Sequence, residues 1–400
     1  MLRRTLFPLF ACALIAAAVL THVGRGDDAT ANSKDALAGP QATTAASSSS
    51  LTAKAAKAAK AFSASLTSDE KASLQYAFNS SKKKTGWSNL PTSLVPRNGV
   101  QVGKLTTTQK AKLKALLQTI LSTQGYGTEE ATRKADDYLN EQQSTGGGNT
   151  QAIPGSTTAP GGTGGPPSGT VPSGTAPTGT QTGGGMTLSY GEGLYWVAFY
   201  GTPSTSSKWT VQFGGHHLAI HMTFSGNSVS NTPYFVGVEP RGEFTYDGKA
   251  YNPMKDKAGA LFGLAESLTT AQKKTARLSG SFDDVVVGPG SDGNFPKKQG
   301  VTVTSLSARQ QRMVTTAIKT YLGDMPASAA AKRLKVYESQ YAQTKVSYSG
   351  TPDGRTQGGY VRLQGPRLWL EIATQPGVVL SNTHYHSIER DIKSDYGAGT

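Results

Sequence analysis

Five of the six histidines in this 400-residue chain lie in two short runs about 165 residues apart. His216, His217 and His221 belong to Gly-Gly-His-His-Leu-Ala-Ile-His, and His384 and His386 to Asn-Thr-His-Tyr-His. Two separated clusters suggest one site assembled from two parts of a fold. On an extended strand His384 and His386 share a face roughly 6.5–7 Å apart along the backbone. Two imidazoles so placed can chelate one ion, and they need a third ligand from elsewhere. Strand alternation predicts opposite faces for His216 and His217, so only one of them joins easily. We expect His217, His384 and His386 as metal ligands, with zinc or copper as the ions that suit such a donor set. His216, Arg390 and Asp391 are the expected catalytic or supporting groups. Glu371, Asp395 and Tyr396 are further candidates, since a carboxylate beside an imidazole can orient it or act as a general base. His221 is a weaker candidate. A purely structural reading stands beside this one: the histidines hydrogen-bond across a buried sheet junction, and Arg390 and Asp391 form an ion pair.

Repeated helix starts precede these strands. The pattern Leu-Ser/Thr-x-x-Glu/Gln occurs at Leu66–Glu70, Leu105–Gln109, Leu268–Gln272 and Leu306–Gln310. Each is a capping box, in which the hydroxyl accepts from a free N–H and the Glu or Gln reaches back, with the leucine as hydrophobic staple. Within the pairs the spacing is 39 and 38 residues, and between pairs 202 and 201. Gly201-Thr-Pro203 matches Gly350-Thr-Pro352, and Ser230-Asn-Thr-Pro-Tyr234 matches Ser381-Asn-Thr-His-Tyr385, about 150 apart. An insertion of about 50 residues explains the two offsets. Helical periodicity is read over 58–79, 106–122, 128–142, 256–278, 307–322 and 327–342, and strand composition over the segments that follow in each half. The expected class is α+β: an internally duplicated unit of helices followed by antiparallel strands, in a pseudo-twofold arrangement. Repeat one spans 58–240 and repeat two 256–391. At an offset of 151, His216 and His217 correspond to Arg367 and Leu368, and His384 and His386 to Pro233 and Phe235. Histidines therefore sit on a different strand in each half, as one composite site would require. Trp196, Trp209 and Trp369 fall in strand patterns and are expected in the core.

Composition bounds the remainder. A basic start (Arg3, Arg4), an apolar run from Leu6 to Leu20 and the triplet Ala29-Thr30-Ala31 have the layout of a secretory signal peptide, read as residues 1–31. Cleavage there removes Cys12, the sole cysteine, and leaves neither a disulfide nor a thiolate ligand. A retained membrane anchor is the alternative; after cleavage no integral membrane span is expected. Residues 32–57 read as an Ala/Ser/Thr/Lys-rich disordered tether. The Gly/Thr/Pro tract 144–186 is too poor in apolar residues to fold and reads as a long surface insertion. The net charge of +14 suits anionic cell-envelope polymers as partners. Specific nucleic-acid binding is not expected, because no recognised binding motif accompanies the charge. No Gly-x-Ser-x-Gly elbow, P-loop or His-Glu-x-x-His occurs.

The run Trp209–Leu218, Thr232-Pro-x-Phe235 with Gly237-x-x-Pro240, and Asn382-x-His384-x-His386-x-x-x-Arg390-Asp391 followed by Asp395-Tyr396-Gly397 resemble the DUF3500 family. The resemblance covers roughly 58–397 and implies no activity, because the family has no assigned function. The long insertion is a departure from the family pattern. The residues lead to an exported, secreted or envelope-associated protein with a histidine-lined, metal-binding pocket, a metal-dependent hydrolase or oxidoreductase. The second reading is a non-catalytic envelope-associated binding protein. Nothing in the sequence sets the oligomeric state.

Overall fold

The structure, a computed structural model, describes residues 50–145 and 188–399. The expected leader, most of the tether and nearly all of the 144–186 insertion lie outside the described residues. No described helix is long and apolar enough to cross a membrane.

All four capping boxes form. Thr67, Thr106, Thr269 and Ser307 each accept from the N–H three residues on, while Glu70, Gln109, Gln272 and Gln310 accept from the cap N–H. They start α2 (Ser68–Leu74), α4 (Thr107–Ile120), α7 (Thr270–Ala276) and α8 (Ala308–Leu322). The box at Thr67 is also a stop. The single helix expected over 58–79 is two, with α1 (Leu51–Ala64) ending just before the box. Helix α1 corrects the tether boundary as well, since residues 51–57 are helical. Alanine and lysine are strong helix formers, and Ala55, Ala56, Ala59 and Phe62 bury one face of α1. The remaining helices are α3 (Lys82–Thr85), α5 (Thr123–Ser144), α6 (Lys255–Glu266) and α9 (Ala327–Glu338).

Twelve strands make one sheet. In the first part of the chain these are β1 (Gln75–Tyr76), β2 (Val100–Gln101), β3 (Trp196–Tyr200), β4 (Trp209–Gly214), β5 (Leu218–Ser225), β6 (Ser228–Asn231) and β7 (Tyr234–Val238). A separate hairpin, β8 (Phe244–Tyr246) with β9 (Lys249–Tyr251), precedes α6. The rest of the sheet is β10 (Val301–Thr302), β11 (Lys345–Ser349), β12 (Tyr360–Gln364), β13 (Leu368–Gln375) and β14 (His384–Asp391). The strand order is β1-β3-β4-β5-β7-β14-β13-β12-β11-β10, with β2 on β3 and β6 on β5. Every pair in it is antiparallel except β1–β3, which makes the sheet mixed.

Both faces of the sheet are covered. Leu218, Ile220, Val236, Leu370, Ile372 and Tyr385 pack into the main core with the helices. Residues of the other parity, among them Ala219, Phe235, Trp369, Ala373 and Ile388, pack under irregular chain carrying Trp87, Leu278, Val285, Val287 and Tyr396. Period-2 alternation therefore sorts side chains between two buried layers rather than between core and water. Trp209 and Trp369 are fully buried, and Trp196 is partly so.

Candidate metal centre

The histidine site lies on the irregularly covered face, at the seam between β5, β7 and β14. Strand β7 pairs with both neighbours: Val236 opposes Leu218 on β5, and Gly237 opposes His386 on β14. The ladder extends one residue beyond β5, where the Gly237 N–H donates to the His217 carbonyl at 2.8 Å. His217, Gly237 and His386 thus form one row across three strands, and glycine leaves the middle position empty. A Cβ on Gly237 would stand 3.0 Å from a ring carbon of His217 and 3.0 Å from one of His386. The two imidazoles meet across that gap with centroids 5.2 Å apart. His384, two residues along β14 on the same face, brings its ring to 5.4 Å from that of His217 and 4.8 Å from that of His386. The donor atoms of these three side chains all lie within 4.8 Å of one another.

His216 and His217 depart from the alternation expected of them. The chain turns at Gly215–His217, closed by the Gly215 N–H donating to the Leu218 carbonyl at 3.0 Å, and β5 starts only at Leu218. In the turn the two rings stack at 3.6 Å instead of pointing to opposite faces. Both therefore reach the site, and Asp136, His216 and His217 form a second close donor group.

Carboxylates set the tautomers. Nδ1 of His386 stands 2.9 Å from Asp284 Oδ1, 2.9 Å from Gln375 Nε2 and 3.3 Å from Asn89 Nδ2. Toward the carboxylate, which only accepts when ionised, it donates, and that tautomer leaves a lone pair on Nε2. Asn89 Nδ2 donates to the other oxygen of Asp284 at 2.8 Å. Burial alone would raise the Asp284 pKa; His386, the Val285 amide and Gln375 outweigh it and hold the carboxyl below its ordinary value. By the same logic Nδ1 of His216 donates to Asp136 Oδ1 at 3.0 Å, and the Tyr195 hydroxyl donates to Asp136 Oδ2 at 2.9 Å. His217 has no such partner among the described residues, and both its ring nitrogens are buried and unbonded there. Burial, reinforced by His216, His386 and His384, holds its pKa well below the ordinary histidine value. Burial does the same for His384, with His386 and His216 adding to it and the Pro376 carbonyl opposing.

In front of the imidazoles is a pocket of about 400 Å³ lined by His216, His384, His386, Tyr190, Leu94 and Pro376, among others. Arg97 secures one wall, donating to the Ser88, Leu90 and Val95 carbonyls of its own loop and to the Gly215 carbonyl of the histidine turn. Glu239 secures another, its Oε1 accepting from the amides of Val378, Val379 and Leu380. Buried polar atoms without a partner gather here: besides His217, the Tyr190 hydroxyl, Glu239 Oε2 and Thr374 Oγ1. Such atoms are few in folded proteins, and each needs a physical reason.

The other expected site residues lie elsewhere. Arg390 is on the same face as His386 but four residues along, about 13 Å by strand rise. It donates to Asp292 and Asp395 at 2.9 Å each and to the Val287 and Gly288 carbonyls. Asp391 faces the helices and pairs with Arg333 and Arg367 at 2.5 and 3.0 Å. The two do not pair with each other, because adjacent strand residues point to opposite faces, and neither joins the histidine pocket. Glu371 is indirect: it accepts from the Val286 and Val287 amides, Trp369 Nε1 and the Tyr360 hydroxyl, and so anchors the loop that presents Asp284. His221 is bonded to Gln212 and the Pro233 carbonyl at 2.7 Å each and sits against Trp87 and Tyr396. Sequence reasoning missed Asp136, Asp284 and Asn89, whose partners are about 80 to 300 residues away. Gly237 carried a signal, as a glycine inside a strand pattern.

The family described as Protein of unknown function (DUF3500) matches residues 48–398. The chain belongs to this family. No curated protein and no solved structure matches it. A DUF3500 chain thus has its Gly-His-His-Leu and His-x-His elements converging on one pocket.

Proposed function

We propose that this DUF3500 protein binds one transition-metal ion, zinc or copper, through His217, His384 and His386, and that its pocket presents a substrate to that ion. The observation that carries the reading is the convergence of three imidazoles over Gly237, with both nitrogens of His217 buried and unbonded. Distance supports it. Two nitrogens held about 2.05 Å from one ion at tetrahedral angles lie about 3.3 Å apart, and Nε2 of His384 and Nε2 of His386 are 3.2 Å apart. The Asp284–His386 pair repeats the carboxylate–imidazole arrangement that orients metal ligands elsewhere. The expected reaction class is metal-dependent hydrolysis or oxidoreduction; the ion would supply Lewis acidity if zinc and electron exchange if copper. His216, with Nδ1 committed to Asp136, keeps on Nε2 the lone pair a general base uses.

The 3.2 Å separation also fits one proton shared between His384 and His386, which favours the non-catalytic binding reading. Metal analysis of the purified full chain decides between the two. About one ion per chain is expected, absent from His384→Ala/His386→Ala, with a fall in Tm on chelation. Metal-free protein whose Tm is unmoved by added zinc or copper leaves the non-catalytic reading.

We also infer that the fold is duplicated about a pseudo-twofold axis between β7 and β14. Central register supports this, since Val236 opposes Ser387, 151 residues on. The turn bond from Gly215 N–H to the Leu218 carbonyl recurs from Gly365 to Leu368. That recurrence runs at 150, so His216 and His217 correspond to Pro366 and Arg367 rather than to Arg367 and Leu368. Export, and attraction of the basic surface to anionic envelope polymers, remain part of the proposal on the strength of the N-terminal sequence and the net charge.

A further inference from the structure

The Asp395-Tyr396-Gly397 element plays no part in the histidine pocket, and it lines a second one. This cavity of about 490 Å³ lies on the same face of the sheet, bounded by Lys83, Lys84, Lys208, Arg390, Tyr396 and Phe295, among others. Its charges do not balance. Arg390 donates to both carboxylates of the lining, Asp292 and Asp395. No carboxylate of the described residues lies within 4.0 Å of the ammonium of Lys83, Lys84 or Lys208.

Lys83 is the sharpest case, at 4 % exposure. A buried ammonium is costly unless it is paired. Among the described residues Lys83 meets the Tyr396 carbonyl at 3.3 Å and the faces of Phe78 at 3.5 Å and Tyr200 at 5.7 Å, and no carboxylate. Burial, then Lys208 and Lys84, depress its pKa to about 8. Lys208 donates to the Gly397 carbonyl at 3.4 Å, and Lys84 stands 6.0 Å over the Tyr396 ring. Three ammonium groups therefore surround one turn. That turn is in an uncommon conformation, because Tyr396 has φ +52°, a left-handed value that L side chains rarely adopt. It is held there by its N–H donating to the Thr232 carbonyl, and by its hydroxyl accepting from Trp87 and donating to Asp292. In that turn the Tyr396 and Gly397 carbonyls accept from Lys83 and Lys208, yet carbonyls bring no net charge.

We propose that this pocket binds a ligand through a compact oxyanion group (phosphate, sulfate or carboxylate) received by Lys83, Lys84 and Lys208. The site is independent of the metal centre. Calorimetric titration of the full chain with inorganic phosphate, sulfate and acetate, at constant ionic strength, tests it. The His384→Ala/His386→Ala chain is titrated in parallel, so that anion capture by an ion at the imidazoles is separated. Saturable one-to-one binding of at least one anion is expected in both chains. Stronger phosphate or sulfate binding identifies a tetrahedral group, and equal or stronger acetate binding a carboxylate. Lys84→Ala/Lys208→Ala, at exposed and half-buried positions that spare the core, should weaken binding about tenfold or more. Lys82→Ala removes the same kind of charge next to the pocket but outside its lining, and should stay within about twofold. The proposal is overturned if no anion saturates below about 10 mM, if the double variant keeps the parent affinity, or if Lys82→Ala loses as much as the double variant.

Discussion

Strand β14 has two ends that treat buried polar groups in opposite ways. At its C-terminal end Arg390 has two carboxylates and two carbonyls as partners, and Asp391 has two arginines. At its N-terminal end, six to seven residues away, imidazoles crowd together, and His217 beside them has no partner for either nitrogen among the described residues. Both ends are buried, so both carry the desolvation cost of their polar atoms. The C-terminal end recovers it through paired charges within the chain, and the N-terminal end recovers it in part, through Asp284 on His386 and Asp136 on His216. The comparison teaches that charge and placement in a family motif are poor guides to a site. Arg390 and Asp391 are the more polar residues, and each is paired with two opposite charges. The histidines have donor atoms to spare.

Removing a partner should hurt most where partners are complete. Asp391→Ala leaves Arg333 and Arg367 without their shared carboxylate in a buried setting, and is expected to cost about 3–5 kcal/mol. Chemical denaturation measures the loss, and metal content per folded chain should be unchanged. Equal stability in the variant would break the contrast between the two ends. Next, Gly237→Ala places a methyl between the rings of His217 and His386. The methyl also stands 2.7 Å from the Tyr385 carbonyl, and overpacking of about 1–3 kcal/mol is expected, a loss of about fivefold or more in metal affinity where the strain falls on the ion-bound state. An unaltered affinity would mean that the two rings do not share an ion.

A third effect lies between the two ends and appears only as pH changes. Glu389, on the helix-facing side of β14, is buried against Tyr337, which donates to it at 2.7 Å. Burial pushes its pKa up to about 8, against the pull of Arg333 and Tyr337. Below the ordinary carboxyl pKa both folded and unfolded chains hold the proton, and the full contribution to stability is present. As pH rises toward 8 the unfolded chain ionises first, and stability falls. Glu389→Gln should flatten that decline, gaining on the order of 3 kcal/mol relative to the parent between pH 5 and pH 8. Parallel stability–pH curves for the two chains would place the carboxylate in a better-solvated setting than its burial implies.

The local sequence was a reliable guide to where the helices with capping boxes start. A capping box closes within four residues, and all four formed. The boundary of α1 was missed because a run of Ala and Lys is legible either as tether or as helix. The burial of Ala55, Ala59 and Phe62 against distant partners decides it. The His216–His217 alternation failed for a related reason. A strand rule was applied across a turn whose closing bond, Gly215 to Leu218, starts the strand one residue too late for it.

Residue types and their order, by themselves, determined that histidines on two distant segments were available, that strands would carry them, and that Gly237 would interrupt a strand pattern with an empty position. Tertiary structure alone decided that the segments meet. Pairing register is set by the contacts of a whole sheet, and a shift of one residue in β7 would send Gly237 to the helix-facing side. It also decided which carboxylates serve the imidazoles. Asp136 and Asp284 look like any other acidic residue until a helix and a loop from distant parts of the chain are folded over the same row of three strands.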